Sequence, residues 1–260
     1  MKKLSKFIVG IGVVLAMAGC STSTQTETDS TSNVAFNEAT TPHYDVVKRD
    51  AQAKVDGTLD EEVWENVPDI SGGFHYPWEA IEAPFTEFKG YHDGTDFYFS
   101  FTVVDEDVLV DEDWKEDEST VDNEDRVELF FAGGAIDKPA TDGMPLYYGL
   151  EIDPKGRVHD YSIEYYRHFD SEWNMEGLET AAVQTEDGYV VEGKVPLKSL
   201  EDLKLITNNV MRAGVYRAEF STPAEGEETP VMQWISWVDP KTPGADYHVD
   251  SSFGEFRFLQ

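Results

Sequence analysis

The sequence predicts an all-β fold, an antiparallel β-sandwich of jelly-roll type, on three observations. Apolar residues recur at every second position through seven runs, turn signals separate several of those runs, and helical spacing is confined to one or two short stretches. In residues 96–104 (DFYFSFTVV), Phe97, Phe99, Phe101 and Val103 share one face, while Tyr98, Ser100 and Thr102 share the other. The same period marks 126–131, 147–152, 157–165, 189–195, 215–220 and 253–258. Asp93-Gly94, Pro154-Lys155-Gly156 and Asp187-Gly188 are the intervening turns. Residues 60–67 (DEEVWENV) open with acids suited to a helix N-terminus and carry Val63, Trp64 and Val67 at helical spacing, with Asp60 as a cap. Residues 196–203 begin with a proline at the first helical position, where its missing N–H costs nothing. Neither stretch is long enough to cover a parallel sheet.

The chain is expected to begin with an export signal. Lys2, Lys3 and Lys6 precede an uncharged apolar run, 7–18, that is shorter than the roughly twenty residues a membrane span needs. It ends in Ala18-Gly19, small enough for a peptidase cleft, and the sole cysteine, Cys20, follows at once. Met17-Ala18-Gly19-Cys20 resembles a bacterial lipobox with Met at its first position. The resemblance implies that 1–19 are removed, that Cys20 is acylated, and, with Ser21 next, that the protein sits in the cell envelope, at the outer membrane if the cell has one. Residues 20–42 are rich in Ser, Thr and acids and too poor in large apolar groups to offset the entropy cost of ordering, so they are predicted to be a tether. Residues 43–260 then form one domain.

The formal charge is -32, and loss of the three leader lysines leaves 17 basic against 52 acidic residues, or -35. Clustered Lys and Arg are what phosphate contacts need, so nucleic acid is excluded as a partner. Uncharged ligands and cations fit. With one cysteine there is no disulfide framework.

Four segments, taken in order, resemble family 9 carbohydrate-binding modules and the wider DOMON-type sandwich. The first is Val55-Asp56-Gly57-Thr58-Leu59-Asp60-Glu61-Glu62-Val63-Trp64. The second is Tyr91-His92-Asp93-Gly94 with its aromatic strand, followed by Asp125-Arg126-Val127-Glu128-Leu129-Phe130. Gly188-Tyr189-Val190-Val191-Glu192 through Pro196 is the third. Tyr247-His248-Val249 with Phe253-Gly254-Glu255-Phe256-Arg257-Phe258 closes the chain. The resemblance implies a non-catalytic sandwich that holds an oligo- or polysaccharide by stacking its rings on aromatic side chains, with polar groups on the hydroxyls. It implies structural calcium in some relatives and heme in another branch. Partners would be a glycan, the membrane through the Cys20 lipid, and glycan-degrading enzymes or importers.

Trp78, Trp114, Trp173 and Trp237 lie in stretches without strand periodicity, which makes them candidate sugar platforms, with Trp114 and Trp173 preferred and core packing the competing reading for each. Arg126, alongside Glu124 and Glu128 by alternation, could fork two hydroxyls or simply balance charge. Gln233 and Arg217 are further polar candidates, and Trp64 reads as a structural plug of the sandwich end. Asp105, Asp107 and Asp111 offer hard oxygens for calcium, although no EF-hand loop surrounds them and solvated acidic loops are the default. The six histidines show no zinc-site spacing, and His248 is assigned to the C-terminal turn. Heme binding is the alternative function, for which Met211 and Met232 are available as axial ligands. A glycosidase would need two carboxylates at a defined separation, and 52 acids single out no pair.

Overall fold

Each alternating run becomes a strand in the computed structural model, which describes residues 41–110, 124–133, 146–164, 167–223, 225 and 231–260. The strands are β1 (His43–Lys48), β2 (Thr86–His92), β3 (Asp96–Val104), β4 (Arg126–Ala132), β5 (Tyr147–Ile152), β6 (Val158–Glu164), β7 (His168–Asp170), β8 (Glu179–Gln184), β9 (Gly188–Pro196), β10 (Val210–Ser221), β11 (Val231–Ser236) and β12 (Gly254–Phe258). Hydrogen bonding runs continuously in the order β7-β6-β5-β4-β10-β12-β1-β2-β3-β9-β8, with β11 on β10.

This sheet curls into two leaves that share β1. His43 to Val46 pair with Glu255 to Phe258 in one leaf, and Val47 and Lys48 pair with Tyr91 and His92 in the other. Both of these pairings are parallel, so the otherwise antiparallel sandwich has a mixed seam. The signal, the tether and Cys20 lie outside the described residues, as do Trp114 and Asp111.

The main core lies between the leaves. Phe97, Phe99 and Phe101 of β3 and Val191 of β9 meet Val127, Leu129 and Phe131 of β4, Val215 of β10 and Phe256 of β12, all at 0% exposure. Full burial of each such side chain contributes roughly 1.5–3 kcal/mol.

The outer faces are covered as well. Outside the β2–β3 leaf, Trp64 meets Tyr91 edge-on at 5.0 Å, and Tyr91 stacks on Tyr98 at 4.7 Å. Trp64 therefore plugs a sheet face, whereas the sandwich end was the expectation. Its indole N–H donates to Glu192 (3.1 Å), whose other oxygen accepts the N–H groups of Asp56 and Gly57. Gly57 has φ +82°, a backbone region open to glycine, and a Cβ there would lie 2.9 Å from the Ala182 backbone. The Asp-Gly pair of the opening motif is thus a turn clamped onto β9.

The helices are shorter than their spacing predicts. Residues 60–67 form only a single 3-10 turn, Glu62–Trp64, capped by Glu61 without a side-chain bond. Pro196 is the N-cap of α1 (Leu197–Asp202), one position earlier than expected.

Candidate functional site

All seven residues of β4 are buried, so this strand is covered on both faces. Val127, Leu129 and Phe131 enter the main core, while Arg126, Glu128 and Phe130 face the opposite way. There a second apolar layer forms, in which Phe130, Tyr147, Tyr161 and Tyr216 pack under Tyr247 and Phe253 from the C-terminal loop. This cover does not extend over the whole face. Between it and the sheet, a cleft of about 350 Å³ is lined by Arg126, Glu128, Glu151, Arg167, Met232, Trp234, Ala245, Asp246, Tyr247 and His248.

Register places these groups together. Glu128 is opposite Glu151 on one side and Tyr216 on the other, and Ala218 lies between Arg126 and Trp234. The Arg126 Nε donates to Glu128 Oε1 (2.8 Å) and is 3.1 Å from Glu151 Oε2. The guanidinium carbon lies 5.3 Å from the centre of the Trp234 ring and 5.7 Å from that of Phe220. Tyr161 donates to Glu151 at 2.7 Å, and it can cross the strand closely because its neighbour is Gly149, where a Cβ would stand 2.4 Å from the Tyr161 ring. Trp234 stands perpendicular to Tyr247 at 5.6 Å, and Tyr247 stacks on Tyr216 at 4.1 Å.

The electrostatics divide the two carboxylates. Burial pushes the Glu128 carboxyl above its usual range despite the adjacent Arg126. Burial acts upward on Glu151 too, but Arg126, the nearby His159 and the hydrogen bond from Tyr161 outweigh it and hold Glu151 low. His248 is pushed down to about 4, first by burial and then by Arg167, so its ring is neutral near pH 7. It lies against Phe130 at 5.1 Å, with Nδ1 3.0 Å from the Tyr147 hydroxyl. At the rim, Asp246 accepts from Arg167 and from the His248 backbone, each at 2.9 Å. An aromatic wall beside charged, neutral-donor and acceptor groups can take up a ligand with an apolar face and a polar edge.

Of the residues expected from sequence, Arg126 lines this cleft and Trp78 supports it from behind. Trp78 packs on Tyr247 at 5.7 Å and donates its N–H to the Thr242 carbonyl at 3.0 Å. The others are placed elsewhere. Trp173 lies on Tyr148 at 4.5 Å and Trp237 beside Phe256 at 6.2 Å, both against the main core. Glu124 accepts from Arg157 (3.4 Å). Gln233 accepts from Tyr76 and donates to Glu79 on the other face of β11.

Arg217, one position from Ala218, faces away from the cleft. It is wholly buried among Glu219, Asp105, Thr86 and the Val104 carbonyl. Burial raises the Glu219 carboxyl to about 7 there. Asp105 joins Asp125 and Glu219 rather than Asp107, whose carboxylate accepts from Thr222. Met211 is in the main core and Met232 is half exposed at the cleft, so the two candidate heme ligands are not brought together. Trp234, Glu151, Asp246 and His248 were not among the sequence-derived candidates. Met232 and Trp234 alternate with Gln233, a signal that marks them as one face of a strand.

The fold is shared by solved structures of distant sequence. A proposed carbohydrate-binding protein from Bacteroides uniformis ATCC 8492 is 13% identical, with TM-score 0.60 over 84% of this chain and 100% of its own. A family 9 carbohydrate-binding module from Caldicellulosiruptor kristjanssonii, solved with glucose and with cellotriose, is 17% identical. Its two structures have TM-scores of 0.50 and 0.52 over 84% of this chain and 96% and 93% of theirs. No curated protein matches the sequence. The family profile described as carbohydrate family 9 binding domain-like matches residues 55–259, from the Asp56-Gly57 turn through β12, and the chain belongs to that family.

Proposed function

We propose that the protein is a non-catalytic carbohydrate-binding lipoprotein whose cleft takes a pyranose ring against Trp234, with Arg126, Glu128 and Glu151 on its hydroxyls. The observation that carries this reading is the planar Arg126 guanidinium, held by two carboxylates and lying 5.3 Å from the Trp234 ring. A pyranose has C–H patches on its faces and hydroxyls around its edge, the two chemistries this wall and floor offer. The cleft is at the small end of the roughly 300–1,000 Å³ range of ligand pockets, which suits one or two rings better than a long chain segment. The glucose and cellotriose held by the Caldicellulosiruptor module support a gluco-configured ligand as the first to try. The lipobox-like Met17 to Cys20 and the Ser/Thr-rich tether support anchoring at the outer face of a membrane, where the domain would capture glycan for enzymes or importers.

Isothermal titration of the mature chain against glucose, cellotriose and a panel of other neutral mono- and oligosaccharides is expected to give one saturable site for at least one of them. Silence across the panel would sink the binding function. Cys20→Ala is expected to move the protein from the membrane fraction to the soluble one; retention there would remove the anchor and leave the sugar site standing.

A further inference from the structure

The floor of the cleft carries more negative charge than positive. Glu128 and Glu151 stand directly opposite each other on β4 and β5, a position in which like charges repel. Both rest on one nitrogen, the Arg126 Nε, at 2.8 and 3.1 Å, so one cation serves two carboxylates. Glu151 also accepts the Tyr161 hydroxyl, whereas the hydrogen bond to Glu128 comes from Arg126. At the rim Arg167 is paired with Asp246, and the two add no net charge.

The remaining groups around this floor, among the described residues, offer one further cation at most. Burial holds the Tyr161, Tyr216 and Tyr247 hydroxyls protonated and therefore uncharged. His248 is neutral near pH 7. His159, on β6, lies 3.9 Å from the Glu151 carboxylate and adds a positive charge only when protonated. In this setting Glu128 is pushed up to about 7, by burial first and then, against the pull of Arg126, by Glu151. Without a ligand its carboxyl therefore carries a proton about half of the time at neutral pH.

We propose that the cleft prefers an amino sugar, a hexopyranose whose protonated amine sits on Glu128 and Glu151 while its ring lies on Trp234. The inference rests on the sugar-binding reading above and names the class of sugar. An ammonium has three donors and no acceptor, so it can bond both carboxylates at once and bring the floor to neutrality. A neutral hydroxyl in its place leaves the two carboxylates short of a cation, and hydrogen bonds between charged groups are about twice as strong as neutral ones. A uronic acid would add a third carboxylate and is disfavoured. The amine also takes over the role of the proton on Glu128, which it displaces. The acidic surface, with 52 acidic against 20 basic residues in the whole chain, would draw an amine-bearing polysaccharide towards the cleft from a distance.

The test is isothermal titration of the mature chain at about pH 7, in about 0.15 M NaCl to screen its diffuse acidity. The ligands are glucosamine, N-acetylglucosamine, glucose, glucuronate and cyclohexylamine, the last an amine without hydroxyls. Glucosamine is expected to bind about tenfold or more tightly than glucose, and glucuronate more weakly than either. N-acetylglucosamine, whose amide is uncharged, is expected to lose the advantage of the amine. In buffers of different ionisation enthalpy, glucosamine is expected to release up to about half a proton as Glu128 ionises, and glucose almost none. Glu128→Gln is expected to bring the ratio of glucosamine to glucose affinity close to one, whatever its effect on either affinity. Glu151→Gln, expected to lower the same ratio severalfold, keeps the test open if Glu128→Gln fails to fold. Glucose bound with glucosamine no tighter, or a preference that survives in the folded variants, would overturn the amino-sugar assignment and leave the sugar site standing. Cyclohexylamine bound as tightly as glucosamine would overturn it in favour of a bare cation site, and silence towards every sugar would remove both readings.

Discussion

Two buried arginines, Arg126 and Arg217, each sit between carboxylates on neighbouring strands of one leaf, yet only one of them lines a cleft. Their register differs by a single position. Ala218 lies between Arg126 and Trp234, whereas Arg217 lies between Val127 and Ile235 and so points to the other face. Arg126 keeps an aromatic ring on one side of its plane and the cleft beside it, while Arg217 ends on carbonyl, hydroxyl and carboxylate oxygens inside the protein. The same pairing of groups therefore lines an open cleft or a sealed interior according to strand alternation alone.

The largest way to break this comparison is to delete each cation. Arg217→Met leaves sealed carboxylates uncompensated and is expected to cost about 3–5 kcal/mol in urea denaturation. Arg126→Met should cost clearly less stability, since water in the cleft can reach Glu128 and Glu151, but should abolish sugar binding. Equal losses of stability would show that the two sites are not sealed and open as described.

A second pair separates platform from plug. Trp234→Ala is expected to lower sugar affinity by about 2 kcal/mol, or roughly thirtyfold, with little change in denaturation midpoint. Trp173→Ala should do the reverse, because its ring rests on Tyr148 over the main core. Loss of binding in Trp173→Ala with Trp234→Ala unaffected would move the site to the other face.

The smallest effect is a pH slope. His248 is depressed from 6.5 to about 4, so the unfolded chain takes up a proton there before the native one does. Its contribution to stability is complete above pH 6.5 and is lost as the pH falls towards 4. His248→Gln should flatten that part of a plot of denaturation midpoint against pH. An unchanged slope would mean that the imidazole is solvated.

Strands with two distinct faces were legible in the sequence: β3, β5 and β12 keep nearly the boundaries their alternation implies. β7 and β8 were not, because edge strands with largely exposed residues carry little apolar period. β2 is interrupted by Gly90, and β1 is short and half polar. Arg126 could be found because its flanking acids mark the start of a strand. Trp234 was hidden in β11, a strand absent from the sequence reading, and Glu151, Asp246 and His248 meet it only through cross-strand register and the fold of the C-terminal loop. Those depend on contacts between distant residues, about which local periodicity is silent.

The seam strand gains a mechanical meaning if the protein is held by its N-terminus, as proposed above. Any pull transmitted through a tether ending at residue 42 enters the domain at His43, the first residue of β1. β1 runs parallel to β12 along four residues and then to β2 along two, so a force along its axis loads both sets of backbone bonds together in shear. Peeling them one at a time would need a force across the strand. The point where a swaying anchor would tug hardest is thus the strand that joins the two leaves.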